Sequence, residues 1–89
     1  MKIKLELFGA SRDFSNKEFL EFDIKQKIEI RDFRKEVINY LDKNFKGNEN
    51  FIKIVKNSVF CSEDNNIIND DFKIIKNQKI GIIPPIGGG

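Results

Sequence analysis

The chain has 89 residues, 39% of them hydrophobic and 34% charged, a balance that suits one small folded domain and excludes a disordered segment. Its 16 basic and 14 acidic residues leave a net charge of +2, too even for the clustered basic face that nucleic-acid binding requires. There is no histidine and one cysteine, Cys61, which excludes histidine-dependent nucleophile pairs, an internal disulfide and a four-thiolate metal site.

The opening KIKLELF alternates strictly, with Ile3, Leu5 and Leu7 on one face and Lys2, Lys4 and Glu6 on the other. That is the period of a half-buried strand. Because the strand begins at Lys2, no signal or transit peptide is expected. The turn-rich stretch from Gly9 to Asn16 reads as a loop. EFLEFDI then alternates again, with Leu20, Phe22 and Ile24 inward and Glu21 and Asp23 outward, so the first two strands are expected to form an antiparallel hairpin.

From Ile30 the period changes. Ile30, Phe33, Val37, Tyr40 and Leu41, widened by Ile38 and Phe45, form the stripe of one amphipathic helix running to about Lys46. Glu29 and Asp32 near its start and Lys43 and Lys46 near its end suit the helix dipole, Gly47 supplies the left-handed stop, and no serine or threonine caps the start. FIKIVKNSVFC reads as a strand, a tight turn at Asn57-Ser58 and a short strand. SEDNNIINDDF reads as a polar loop with Ile67 and Ile68 tucked toward the core. KIGII is the last strand, ending at Ile83 where Pro84 can no longer donate to a ladder.

A hairpin, a helix and further strands predict an α+β domain: one mixed sheet of about five strands with one main helix packed on one face. The domain is expected over residues 1–83, with a separate tail over 84–89. No apolar run is long enough to span a membrane, so a cytoplasmic protein with no membrane partner is expected.

The element order and the tail together carry a resemblance. The chain stops on IIPPIGGG. This resembles the end of the small subunit of molybdopterin synthase, a sulfur carrier of the ubiquitin-like β-grasp superfamily, whose members finish on two apolar residues, Pro-Pro, two variable residues and Gly-Gly. Ile82-Ile83, Pro84-Pro85, Ile86-Gly87 and Gly88-Gly89 match in order and spacing, and VKNSVF resembles the family's hairpin between its third and fourth strands. Two stretches depart from the pattern. Lys76-Asn77-Gln78-Lys79-Ile80 is basic where the family often carries an acidic turn, and Ser62 to Asp71 looks like an insertion.

The resemblance implies a function located at the terminus. The α-carboxylate of Gly89 would be adenylated by an activating enzyme that uses ATP, and a sulfur donor would displace AMP to leave a thiocarboxylate. The tail would then enter the large subunit of molybdopterin synthase, in an expected heterotetramer, and pass sulfur to a pyranopterin precursor of the molybdenum or tungsten cofactor. On this reading the chain is not catalytic alone, binds no cofactor or metal, and meets partners through Pro84, Pro85, Ile86, Gly87, Gly88 and Phe8. Glycines at the tip suit a narrow channel because they lack Cβ. The two prolines, each with φ held near −65°, predict a stiff rod leaving the sheet.

Other readings stay open. They are a carrier for thiolation in a cysteine, thiamine or tRNA pathway, a ubiquitin-like protein modifier, and a β-grasp adaptor with an inert tail. Cys61 reads more simply as a small, partly buried strand residue than as a sulfur-handling thiol. Glu63, Asp64, Asp70 and Asp71 lack the glycine of a calcium loop and read as a solvated segment. Phe8, Phe14 and Phe19 divide between core and interface, because exposed apolar side chains mark contact surfaces.

Overall fold

A computed structural model describes residues 1–85. The expected hairpin is present: β1 (Lys2–Leu7) and β2 (Phe19–Asp23) pair antiparallel, with Leu5 opposite Leu20. The loop between them contains a 3₁₀ turn, Gly9–Phe14, that buries Ser11 and Phe14. The last strand, β7 (Gln78–Ile83), lies parallel to β1, and β4 (Val59–Cys61) lies antiparallel on its other side. With β5 (Ile67–Ile68) the order is β2-β1-β7-β4-β5, a mixed five-stranded sheet.

Alternation places Ile3, Leu5 and Leu7 of β1 with Leu20, Phe22, Phe60, Ile80 and Ile82 on one face of this sheet, all buried. Against them lies helix α1 (Ile30–Asn44), contributing Ile30, Phe33, Val37 and Leu41. The rings of Phe22 and Phe33 meet edge-on at 5.3 Å, and Phe33 and Phe60 at 6.0 Å, so aromatic packing joins helix to sheet. Gly47 (φ +72°) follows α1 as expected and donates its N–H to Asp42 O; Lys46 before it is also left-handed (φ 51°).

The helix start shows how its missing cap is replaced. Glu29 makes no side-chain cap hydrogen bond. Instead Ile30 N donates to Phe72 O at 2.9 Å and Arg31 N to Asp70 O at 3.0 Å. Two of the amides that every helix leaves unsatisfied are thus taken up by backbone from later in the chain. This accounts for the stretch from Ser62 to Asp71. It turns at Ser62–Asn65, adds β5 to the sheet edge and returns along the start of α1. Strands β3 (Ile28–Glu29) and β6 (Lys73–Ile74), a two-stranded ladder that sequence did not predict, hold the return in place.

One expected element is wrong. The residues read as a strand and a tight turn at Asn57-Ser58 form a second helix, α2 (Glu49–Asn57). Asn48 caps it, its side-chain oxygen accepting from Phe51 N at 3.1 Å. Phe51, Ile54 and Val55 then fall at i, i+3 and i+4, one face of a helix. The Phe51 ring sits 5.0 Å from both Phe14 and Phe45. Ser58 is the C-cap rather than a hairpin turn, its hydroxyl donating to Ile54 O at 2.6 Å.

Candidate functional site

The sheet face opposite the helices divides into two halves. Register places Lys2, Lys4 and Glu6 of β1, Phe19, Glu21 and Asp23 of β2, and Lys79 of β7 on that face. These residues pair among themselves. Lys79 Nζ lies 3.4 Å from Glu6 Oε1, Lys4 stands opposite Glu21, and the Lys4 ammonium sits 4.0 Å from the centre of the Phe19 ring. Ion pair and cation–π contact leave this half polar and internally matched.

The other half is apolar. The same register puts Gly81 and Ile83 of β7, Val59 and Cys61 of β4 and Ile67 of β5 side by side. Val59 is 44% exposed and Ile67 60% exposed. Phe8, just beyond β1, is half-buried and covers Gly81. A Cβ on Gly81 would lie 2.7 Å from Cys61 Sγ and 2.9 Å from Phe8 Cε2. Gly81 is therefore a required gap into which thiol and ring both settle. Cys61 is a buried free thiol in a short strand and fills space there.

This apolar half borders the exit of the chain. β7 ends at Ile83, next to Val59, and Pro84 follows. Pro84 is buried, with its ring 3.8 Å from where a Gly9 Cβ would stand; Gly9 itself is left-handed (φ +56°). Pro85 is exposed, and with Pro84, Ala10, Lys53 and Ile54 it borders a cleft of about 380 Å³. The stiff segment thus begins seated on the 3₁₀ turn and α2.

Of the residues expected at the site, Phe8, Pro84 and Pro85 lie at this end of the molecule, whereas Ile86, Gly87, Gly88 and Gly89 fall outside the described residues. Phe14 belongs to the core, 1% exposed, and Phe19 lies half-buried in the charged half. Val59 and Gly81 were missed; their signal is the outward phase of VFC and of KIGII, legible once β4 and β7 are known to be neighbours. Ile67, expected in a loop and tucked toward the core, instead lies exposed in β5, because edge pairing with Cys61 turns its side chain outward. Among the described residues no three His, Cys, Asp or Glu side chains cluster as metal ligands. Asp70 instead pairs with Arg34, Nη2 to Oδ1 3.0 Å, and Glu63 accepts from Lys79 N at 2.7 Å. No helix of the described residues is long and apolar enough to cross a membrane.

No family model matches the chain, and no curated protein does. Solved structures do. A putative molybdopterin converting factor, subunit 1, from Pyrococcus furiosus superposes with TM-score 0.66 at 15% identity, over 96% of this chain and 98% of that one. SAMP1 from Haloferax volcanii superposes with TM-score 0.68 at 11% identity, over the whole of both chains. The mixed five-stranded sheet packed on one main helix, together with these superpositions, gives the chain the β-grasp fold.

Proposed function

We propose that the chain is a sulfur carrier of the molybdopterin synthase small-subunit type, with the Gly89 carboxyl group as its reactive end. The observation that carries this reading is positional. The unpaired apolar half of the sheet, Phe8, Val59, Ile67 and Ile83, lies beside the point where Pro84 and Pro85 lead toward Gly87-Gly88-Gly89. A docking face next to the tail lets a partner hold the domain while the terminus reaches a separate catalytic centre, and holding a reacting group in place removes much of the entropic barrier to transfer. Similarity to a putative molybdopterin converting factor subunit supports the same assignment.

The chemistry would proceed in two steps, an adenylyl transfer and then an acyl transfer. A carboxylate oxygen of Gly89 attacks the α-phosphorus of ATP and releases pyrophosphate, giving an acyl-adenylate on the activating enzyme. A sulfur donor then attacks the acyl carbon and AMP leaves, giving the thiocarboxylate. The large synthase subunit would receive that tail and present the pyranopterin acceptor. This chain's part is to supply an unhindered acyl carbon and a stiff lead-in. ATP belongs to the activating enzyme.

The likeness to SAMP1 equally fits a ubiquitin-like carrier or modifier serving another pathway. Intact mass spectrometry of the untagged protein from its native host separates these readings. A species heavier by one oxygen-to-sulfur exchange, mapped to the terminal peptide, is the expected result. Isopeptide conjugates to lysines without that species would favour the modifier. Neither product, with activating enzyme, ATP and sulfide supplied, would remove the carrier reading.

A further inference from the structure

Two hydroxyl-bearing side chains are buried among the described residues, Ser11 and Ser58. Ser58 is accounted for as the C-cap of α2. Ser11 lies inside the 3₁₀ turn, 0% exposed, and both its Oγ and its N–H donate to Phe8 O, at 2.6 and 3.2 Å. The backbone bond alone would close the turn. A buried hydroxyl loses its water and must find a partner, a demand that an alanine here would not make. The side-chain bond is therefore an addition to the fold, and its place shows what it adds.

The ring that the hydroxyl closes encloses Gly9 and Ala10. Gly9 holds φ +56°, a left-handed conformation open to glycine without strain. Against Gly9 lies the ring of Pro84: a Cβ on Gly9 would stand 3.8 Å from Pro84 Cδ and 3.9 Å from Cγ. Pro84 is buried and Pro85 exposed, so the seat ends where the exposed lead-in begins. Phe8, whose carbonyl the hydroxyl holds, is also the residue whose ring covers Gly81 on the apolar half. The far end of the turn is anchored as well, because Phe14 is buried with its ring 5.0 Å from that of Phe51 in α2. The segment from Phe8 to Phe14 thus touches the apolar half through Phe8, the root of the tail through Gly9 and the helix layer through Phe14.

We propose that Ser11 is a positioning residue for transfer at the tail: by locking the Phe8 carbonyl it fixes the angle at which Pro84 and Pro85 leave the apolar half. This rests on the carrier reading and adds to it the place where the direction of the tail is set. A partner that grips the apolar half then receives a tail root already aimed at its reacting centre. Misplacing a reacting group by about 1 Å can slow a reaction about a hundred-fold. Removing the hydroxyl, by contrast, strands no acceptor, since Phe8 O keeps its bond from Ser11 N. The hydroxyl accordingly matters more to transfer than to folding.

The test follows conversion of the Gly89 carboxylate to a thiocarboxylate by intact mass, with activating enzyme, ATP and sulfide, over a range of carrier concentrations. Ser11→Ala should lower kcat about ten-fold and leave KM within about two-fold. Ser58→Ala deletes the other buried hydroxyl bond, also 2.6 Å long, and as the control for stability should leave kcat within about two-fold. Pro84→Ala should slow transfer too, and adding Ser11→Ala to it should slow transfer no further, because both changes act at one seat. Thermal unfolding of every variant is measured alongside. Wild-type rates in Ser11→Ala, equal losses in Ser11→Ala and Ser58→Ala, losses that multiply in the double variant, or an unfolded Ser11→Ala would each overturn the proposal while the wild type still forms its thiocarboxylate. No thiocarboxylate from the wild type would instead remove the carrier reading, and the role of Ser11 with it.

Discussion

The two halves of the outer sheet face are built in opposite ways. Over β1 and β2 the surface holds itself together from above, through Glu6 with Lys79 and Lys4 with Phe19. Over β4 and β7 the surface is left apolar, and the strand beneath it is gripped from the helix side. Arg34 of α1 donates through Nη1 to Val55 O and Ser58 O, both at 2.7 Å, and its guanidinium lies 4.8 Å from the Phe60 ring centre. One guanidinium thus fixes the end of α2 and the start of β4. A half whose side chains are already paired gains little from a partner. A half that is apolar, open and held rigidly from below has the properties of a docking surface.

Cutting the grip from below should have the largest effect. Arg34→Ala strands two carbonyls and loses contact with Phe60, and is expected to cost about 2–4 kcal/mol in urea unfolding, most of it from the part-buried carbonyl bonds because Asp70 is exposed. A loss under about 0.5 kcal/mol would mean that β4 is held by the sheet alone.

Next comes the open surface itself. If the chain is the sulfur carrier proposed above, Val59→Asp together with Ile67→Asp weakens its docking on a large synthase subunit by about thirty-fold, since burying an unpaired charge at an interface centre costs as much as losing a hot spot. Stability should stay nearly unchanged, because both side chains are exposed. Unchanged binding by calorimetry would move the docking surface elsewhere.

Gly81→Ala tests the packing between Phe8 and Cys61. The added methyl overlaps both, and a loss of about 1–2 kcal/mol is expected, relieved in part by a simultaneous Cys61→Ala. Strict additivity of the two changes in thermal unfolding would show that the added methyl does not meet the thiol. The smallest effect belongs to the charged half. Lys79→Ala should change stability by less than about 0.5 kcal/mol, because both partners of its ion pair with Glu6 are solvated. A larger loss would erase the contrast between the halves.

Much of this architecture was legible in the chain. β1 alternates strictly, β2 alternates from Leu20 and β7 through Ile82, and α1 carries a stripe long enough that no strand could hold it, so period identifies them. α2 escaped because Phe51-Ile52-Lys53-Ile54-Val55 is short, β-branched and compatible with either period; Asn48 was the available signal, as a cap three residues ahead of Phe51. β3 and β6 escaped because two residues carry no period at all. At the candidate site, Pro84 and Pro85 were legible as a lead-in, but the burial of Pro84 against Gly9 was not, since it depends on where the 3₁₀ turn lies.

The sequence by itself determined which side chains share a face of each long strand, that no histidine chemistry is available, and that a proline pair follows the last strand. These are local properties, set by a period of two or of 3.6 residues and by residue type. The tertiary structure decided which face the helices cover, and so which alternate residues remain outside. It brought Val59, Ile67 and Phe8 together across three separate segments, left Gly81 bare beneath them, and made the return from Ser62 to Asp71 the cap of α1. Pairing partners are chosen by burial summed over the whole chain, and no single stretch of residues contains that sum.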